Sequence, residues 1–148
     1  MVAESARGAA RQPGPDAFTR VYWDAAAQGR LLLRRCADCG RAHHHPREFC
    51  SYCWSEEVGW EDIGGRATLY TWSEVHANDL PPFRDRLPCI AVVVNLEEGP
   101  RMTTAVVGCP AAELRIGMAL AVSFTTGHTA DSLNMHMTCV PVFTPSDR

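Results

Sequence analysis

Two C-x-x-C pairs in the first third of the chain constrain its fold more than any other feature. The stretch LRRCADCGRAHHHPREFCSYCW, residues 33–54, has ten residues between the pairs and contains Cys36, Cys39, Cys50 and Cys53. Each C-x-x-C turn can direct two sulfurs to one point, and two such turns form the tetrahedral four-sulfur cage that suits Zn(II). The spacing therefore predicts one zinc ion per chain held by these four cysteines, with iron in the same cage as the alternative.

A zinc site with four protein ligands has no open position for water, and such closed sites hold structure and do not catalyse. A segment of roughly 35 residues is too small to fold on its own core, so a metal would supply what packing cannot. The N-terminal sequence MVAESARGAARQPGPDAF has no apolar signal-peptide core. We therefore expect a cytoplasmic protein in a reducing compartment, where paired C-x-x-C motifs bind metal rather than form disulfides.

Charge and composition exclude several classes of chemistry. The net charge is −3, all 14 basic residues are Arg, and the chain has no Lys. This excludes a lysine Schiff base and a Walker-type phosphate loop within this chain. Cys89, Cys109 and Cys139 lie in or beside apolar segments, so we expect small buried hydrophobes rather than nucleophiles. No run approaches the roughly 18 apolar residues of a membrane span, so no membrane association is expected.

The N-terminal part is predicted to be a disordered tail at 1–15 followed by a helix at 16–29. Asp16 suits the N-cap and Gly29 the C-terminal cap. Apolar residues follow the i, i+3, i+4, i+7 template, at Phe18, Val21, Tyr22, Ala25 and Ala26. The core that covers this apolar face lies either in this protein or in a partner, so Phe18 and Tyr22 are candidate partner-binding residues.

The rest of the chain is mainly β. Residues 30–63 are predicted to form the zinc ribbon, and residues 64–148 contain five strand-like segments, the number of an OB-fold barrel. In RATLYTWSEVHA, alternation puts Ala67 and Leu69 on one face and Tyr70 and Trp72 on the other. Tyr70 and Trp72 are then on a non-core face, which either packs beneath the ribbon or contacts a ligand or partner.

The order of these segments resembles a known family. The residues that carry the resemblance are YWDAAAQGRLLLRRC, the two cysteine pairs, GRATLYTWSEVH, PPFRDRLPCIAVVVNLEEGPR and LRIGMALAVSF. They are similar to bacterial and archaeal proteins with a rubredoxin-like zinc ribbon fused to an OB-fold, long classed as a domain of unknown function and associated with acyl-CoA. The resemblance covers roughly residues 17–145. Trp54, where such proteins usually have Gly, and Cys89, where an aromatic is common, depart from the pattern.

The resemblance implies a non-catalytic accessory subunit. Such proteins pair with thiolase-like enzymes, lipid-transfer-type thiolases or aldolases, or hot-dog-fold hydratases. Their setting is acyl-CoA breakdown, including that of sterol side chains and aromatic acids, or polyketide-like synthesis. The partner supplies the nucleophile and base, and this chain helps bind or position the acyl-CoA. Arg84 and Arg86, between prolines in NDLPPFRDRLP, are candidate ligands for CoA phosphates because Arg pairs well with phosphate oxygens; the alternative is a solvated loop.

A different class, a single-stranded nucleic-acid-binding protein, is the alternative. OB barrels stack bases on aromatic residues in a basic groove, and zinc ribbons also bind nucleic acid. The acidic net charge of −3 weighs against this class.

Overall fold

The computed structural model describes residues 16–77, 87–126 and 139–147. The described part is mainly β, with a single α-helix, α1 (Arg20–Ala27), and a 3-10 helix at Ala111–Glu113. The strands are β1 (Leu31–Cys36), β2 (Ala42–His43), β3 (Val58–Ile63), β4 (Arg66–Val75), β5 (Cys89–Leu96), β6 (Arg101–Ala105), β7 (Ala119–Thr126) and β8 (Cys139–Pro145). In these residues, the helices are too short or too polar to cross a membrane. The predicted tail at 1–15, and Arg84 and Arg86, lie outside the described residues.

Helix α1 is shorter than the predicted span of 16–29, because its first turn is irregular. Asp16 Oδ1 accepts hydrogen bonds from the backbone N–H of Thr19, at 2.6 Å, and from its hydroxyl. At the other end, Gly29 has φ +73° and donates to the carbonyl of Ala26, and the next N–H reaches the carbonyl of Ala25. This is a Schellman cap, so Gly29 ends the helix as predicted.

The zinc ribbon contains a three-stranded antiparallel sheet in the order β2-β1-β3. Its central strand β1 pairs Arg34 with His43 on one side and Leu31 with Ile63 on the other. Helix α1 packs on β1 and also contacts β8, so one helix touches both sheets. Strand β1 is covered by its two neighbouring strands and by α1. Its sequence is accordingly a continuous apolar run, LLL, followed by two arginines.

Strands β4 to β8 form a five-stranded antiparallel sheet in the order β6-β5-β4-β7-β8. Val106, just after β6, forms a parallel bridge with Phe143 of β8, so the sheet curls into a nearly closed barrel. Phe143 and Val94 are fully buried in its interior. Met118, just before β7, and the alternating β7 side chains Leu120, Val122 and Phe124 all pack on this core, as the alternation predicts. The five-stranded barrel inferred from the sequence is therefore confirmed.

Strand β4 departs from simple alternation at one residue. The register with β5 shifts between Leu69 and Thr71, so Tyr70 is the extra residue of a β-bulge. Beyond the bulge the inward and outward faces exchange, and Trp72, paired with buried Val92, packs on the core. Tyr70 instead stays 41% exposed. The prediction that Tyr70 and Trp72 share one non-core face is therefore wrong.

Gly65 connects the two sheets between β3 and β4. It has φ +71°, and a Cβ added there would overlap Cβ and Cγ1 of Val122. Its carbonyl accepts a hydrogen bond of 2.8 Å from the N–H of Val122. Glycine is needed at this position for two separate reasons, the left-handed backbone and the close approach of β7.

Candidate metal centre and its surroundings

The four predicted ligands converge on one point. Their sulfur atoms all lie within 4.8 Å of one another, and the Sγ–Sγ distances are 3.6 Å for Cys36–Cys53 and 3.6 Å for Cys39–Cys50. With Zn–S bonds near 2.3 Å, a tetrahedral site requires sulfurs roughly 3.8 Å apart, so the arrangement fits zinc. Within the described part of the chain, this is the one cluster of metal-ligating side chains that the geometry brings together. One zinc per chain, bound by these cysteines, is the cofactor.

Each cysteine pair sits on a turn of the same backbone design. The N–H of Gly40 donates to the carbonyl of Cys36, and the N–H of Trp54 donates to the carbonyl of Cys50, both at 3.0 Å. The N–H of Tyr52 also donates to Cys50 Sγ at 3.4 Å. Donors aimed at a thiolate stabilise its negative charge and orient it toward the metal. In each pair one ligand is buried and one exposed, so the site lies at the surface of the ribbon.

The two turns place different residues in the same left-handed conformation. Gly40 has φ +71° and Trp54 has φ +64°. For a residue with a Cβ this conformation costs about 1–2 kcal/mol, whereas glycine adopts it freely. Trp54 therefore adopts the left-handed conformation despite this cost in free energy. Its indole is 74% exposed and stacks on Phe49, with ring centroids 5.5 Å apart.

Arg34 joins the helix, the ribbon sheet and the second cysteine turn. Its guanidinium lies 5.3 Å from the ring centroid of Phe18 and 4.9 Å from that of Trp60. Its Nε donates to the carbonyl of Arg47 and its Nη2 to that of Val58, at 3.2 Å and 2.7 Å. The sequence analysis did not single out Arg34. The sequence offered one signal for it: LLLRRC places a charged residue inside a strand, and a buried charged side chain needs hydrogen-bond partners.

The helix face considered for a partner is largely covered by the chain itself. Tyr22 is 5% exposed and belongs to the core, and this burial raises the pKa of its hydroxyl to about 12. Phe18 is half-buried, with its ring centroid 5.7 Å from that of Trp60. Of the two alternatives for the cover of this face, the chain itself provides the cover at Tyr22, through the ribbon and β8.

The other predicted site residues do not cluster with the metal. The guanidinium of Arg101 lies 3.7 Å from the ring centroid of Tyr70, on the outer side of the barrel. Cys109 and Cys139 are half-buried, while Cys89 is exposed at the start of β5, contrary to the expected buried hydrophobe. Nothing in the described residues brings these three thiols together.

The architecture defines a class: a closed four-cysteine zinc ribbon joined to an OB-fold barrel. Residues 23–59 match the rubredoxin-like zinc ribbon domain of ChsH2, and residues 60–125 match its C-terminal OB-fold domain. A DUF35 domain-containing scaffold protein of Methanocaldococcus jannaschii is 33% identical over 96 residues, which are 64% of this chain and 67% of that protein. The chain belongs to the DUF35 family, with the zinc ribbon and OB-fold of ChsH2.

Two further similarities extend over most of the chain. A solved structure described as Ltp2-ChsH2(DUF35) aldolase has a chain that superposes with a TM-score of 0.73 at 28% identity, covering 90% of this chain and 98% of that one. A probable enoyl-CoA hydratase alpha subunit of Thermomonospora curvata is 28% identical over 130 residues, 88% of this chain. The match spans 40% of that hydratase subunit's length.

Proposed function

We propose that this chain is a non-catalytic accessory subunit of an acyl-CoA enzyme complex, with a thiolase-like or aldolase-type subunit as partner. One observation carries the proposal: the metal centre in the described residues is a closed four-cysteine site, in a chain that superposes almost end to end with the ChsH2(DUF35) chain of an aldolase. A closed site supplies stability rather than an open coordination position. Chemistry on the substrate then belongs to the partner.

The extent of each similarity supports one kind of partner over another. The aldolase-associated chain is matched over 98% of its length, whereas the hydratase alpha subunit is matched over 40%. An aldolase-type or thiolase-like partner is therefore favoured over a hydratase partner. The similarity to the enoyl-CoA hydratase subunit and the family resemblance support acyl-CoA as the substrate.

Among the residues proposed to meet acyl-CoA, Tyr70 and Trp72 lie on the barrel. Tyr70 keeps an exposed ring beside Arg101, and Arg84 and Arg86 remain candidates for the CoA phosphates. Trp72 packs on the core and is half-buried, so its proposed contribution is to support this wall of the barrel rather than to present a ring face. Phe18, half-buried at the helix, remains a candidate for a minor contact with the partner.

Purification from the native source is expected to yield a hetero-oligomer. A tagged full-length chain should co-elute with a thiolase-fold or aldolase-type subunit through size exclusion, and mass spectrometry should identify that subunit in a fixed ratio. Binding of oligonucleotides that weakens steeply with salt, with no enzyme subunit present, would instead favour the nucleic-acid alternative.

The isolated chain is expected to leave acyl-CoAs unchanged. Zinc is enclosed by four sulfurs, and the free thiols of the described residues lie apart from one another. Chromatographic detection of new acyl-CoA species, with zinc-loaded chain and several acyl-CoAs, should give the rate of buffer alone, and the reconstituted complex should give turnover. Turnover by the partner-free chain well above buffer would contradict an accessory role.

A further inference from the structure

The second cysteine turn of the ribbon carries three exposed aromatic residues. We define the ribbon tip by Phe49, Tyr52 and Trp54, which are 37%, 50% and 74% exposed and flank the second cysteine pair, Cys50 and Cys53, in sequence. Phe49 and Trp54 stack with ring planes 16° apart, and the guanidinium of Arg41 lies 4.9 Å from the Tyr52 ring centroid. Three large exposed rings on one short segment are typical of an interaction surface rather than of scattered surface residues.

The backbone conformation of Trp54 is a second, independent reason to regard the ribbon tip as an interaction surface. Gly40 and Trp54 occupy equivalent positions of two equivalent turns, and both have a left-handed φ. A tryptophan there is strained and, at 74% exposure, gains little from the chain's own core. Residues in a strained backbone conformation that the fold does not require are found mainly at functional sites. The indole is therefore useful for something outside this chain.

The charges around the ribbon tip indicate what kind of surface it fits. Residues 37–41 and 47–57 contain four carboxylates and two guanidinium groups, a net charge of −2. The carboxylates belong to Asp38, Glu48, Glu56 and Glu57, all in exposed residues. Zinc with four thiolates is itself an anion, because the four thiolate charges exceed the charge of the ion. An aromatic centre with an acidic rim complements an apolar pocket with a basic rim.

We propose that the ribbon tip is a docking surface for the catalytic partner subunit, with Trp54 as the anchor that enters an apolar pocket rimmed by Arg or Lys. This inference rests on the proposed function for the existence of the partner and adds the surface that binds it. Trp is the residue most enriched among the few that dominate interface energetics. The stacked Phe49 holds the indole in place before binding, which lowers the entropy lost on association.

The test compares variants that keep the ribbon folded. Trp54→Gly suits the left-handed backbone, so zinc content and melting temperature should stay close to those of the wild type. Its affinity for the co-purifying thiolase-fold or aldolase-type subunit, measured by surface plasmon resonance, should fall at least roughly tenfold. Ile116→Ala is the matched control, because Ile116 is equally exposed, at 74%, but lies on the barrel. Its affinity should not change.

A second pair of variants tests the acidic rim. Glu56→Gln with Glu57→Gln should lower the association rate several-fold at low salt and reduce its salt dependence, with little change in the dissociation rate. A charge at the rim of an interface affects the association rate more than the lifetime of the complex. A change confined to the association rate therefore indicates electrostatic steering rather than a change in folding.

The possible outcomes separate this inference from the proposed function. If no thiolase-like or aldolase-type subunit accompanies the wild-type chain, the proposed function fails. If that subunit binds Trp54→Gly and the wild type equally, the complex stands and the ribbon tip is not its docking surface. If wild-type chain forms a homodimer that Trp54→Gly dissolves in sedimentation, with partner affinity unchanged, the occupant is a second copy and the proposal is overturned.

Discussion

Cys36→Ser is expected to reduce zinc from one ion per chain to none and to unfold the ribbon. Cys36 ends β1 and is 1% exposed, so its loss leaves three ligands and a polar hydroxyl in a buried position. Structural zinc sites of this type contribute about 10–16 kcal/mol of apparent binding free energy, and in a segment this small that energy is folding energy. The native ribbon has no comparable source of stability within itself.

The consequences should spread beyond the metal. Leu31 and Leu33 of β1 belong to the same core as Tyr22 of α1 and Leu69 of the barrel. Ribbon unfolding therefore uncovers one side of the barrel, and we expect the variant to melt at lower temperature with lower cooperativity. Zinc is measured by elemental analysis of purified protein, and folding by circular dichroism and by heteronuclear NMR of the ribbon amides.

Cys89→Ser is the matched control for this experiment. Cys89 is an exposed cysteine outside the cluster, so its replacement should leave one zinc per chain and an unchanged spectrum. Retention of one zinc by Cys36→Ser, or loss of zinc from Cys89→Ser, would contradict the assignment of the four ligands.

Gly65→Ala is expected to destabilise the chain by about 2–4 kcal/mol, which adds the cost of a left-handed alanine to that of overpacking. The new Cβ would overlap the Val122 side chain, and backbone retreat is prevented by the hydrogen bond between Gly65 and Val122. For a chain of this size the melting temperature should fall by roughly 5–15 °C. Thermal unfolding of the zinc-loaded protein measures the shift.

Two variants separate the two causes. Gly64→Ala is the neighbouring control, because a Cβ at Gly64 meets nothing within 4 Å and its φ is not positive. It should change stability by less than about 1 kcal/mol. In Gly65→Ala with Val122→Ala the overlap is reduced but the left-handed alanine remains, so the double variant should be less unstable than the sum of the singles. Simple additivity would mean that the close approach carries no cost.

The features that the sequence predicted well have a local cause. Two C-x-x-C pairs require only a turn each to bring the sulfurs together, and the cap at Gly29 depends on a single backbone angle. The strands of the barrel follow from alternation, as in β7. In each case neighbouring residues decide the structure, so the sequence pattern is sufficient.

The features that the sequence pattern predicted wrongly, left open or missed depend on contacts between residues far apart in the chain. The bulge at Tyr70 inserts one residue into β4, and alternation alone gives no sign of it, so Trp72 was placed on the wrong face. Tyr22 is buried because β1 and β8, far apart in the sequence, both reach α1. The role of Arg34 likewise depends on rings from two separate elements, Phe18 and Trp60. Such contacts are tertiary and leave no periodic trace in the sequence.

The bridge between Val106 and Phe143 also decides where this protein is vulnerable to self-assembly. Because β6 and β8 meet, the two strands that would end the barrel sheet cover each other's backbone at this point. The ribbon sheet, by contrast, ends in β2 and β3. Strand β3 carries Glu61 and Asp62, and charges on an edge strand oppose the addition of a foreign strand and hence fibril growth. Of the two edges of the ribbon sheet, β2 lacks such charges and is the more open to the addition of a foreign strand.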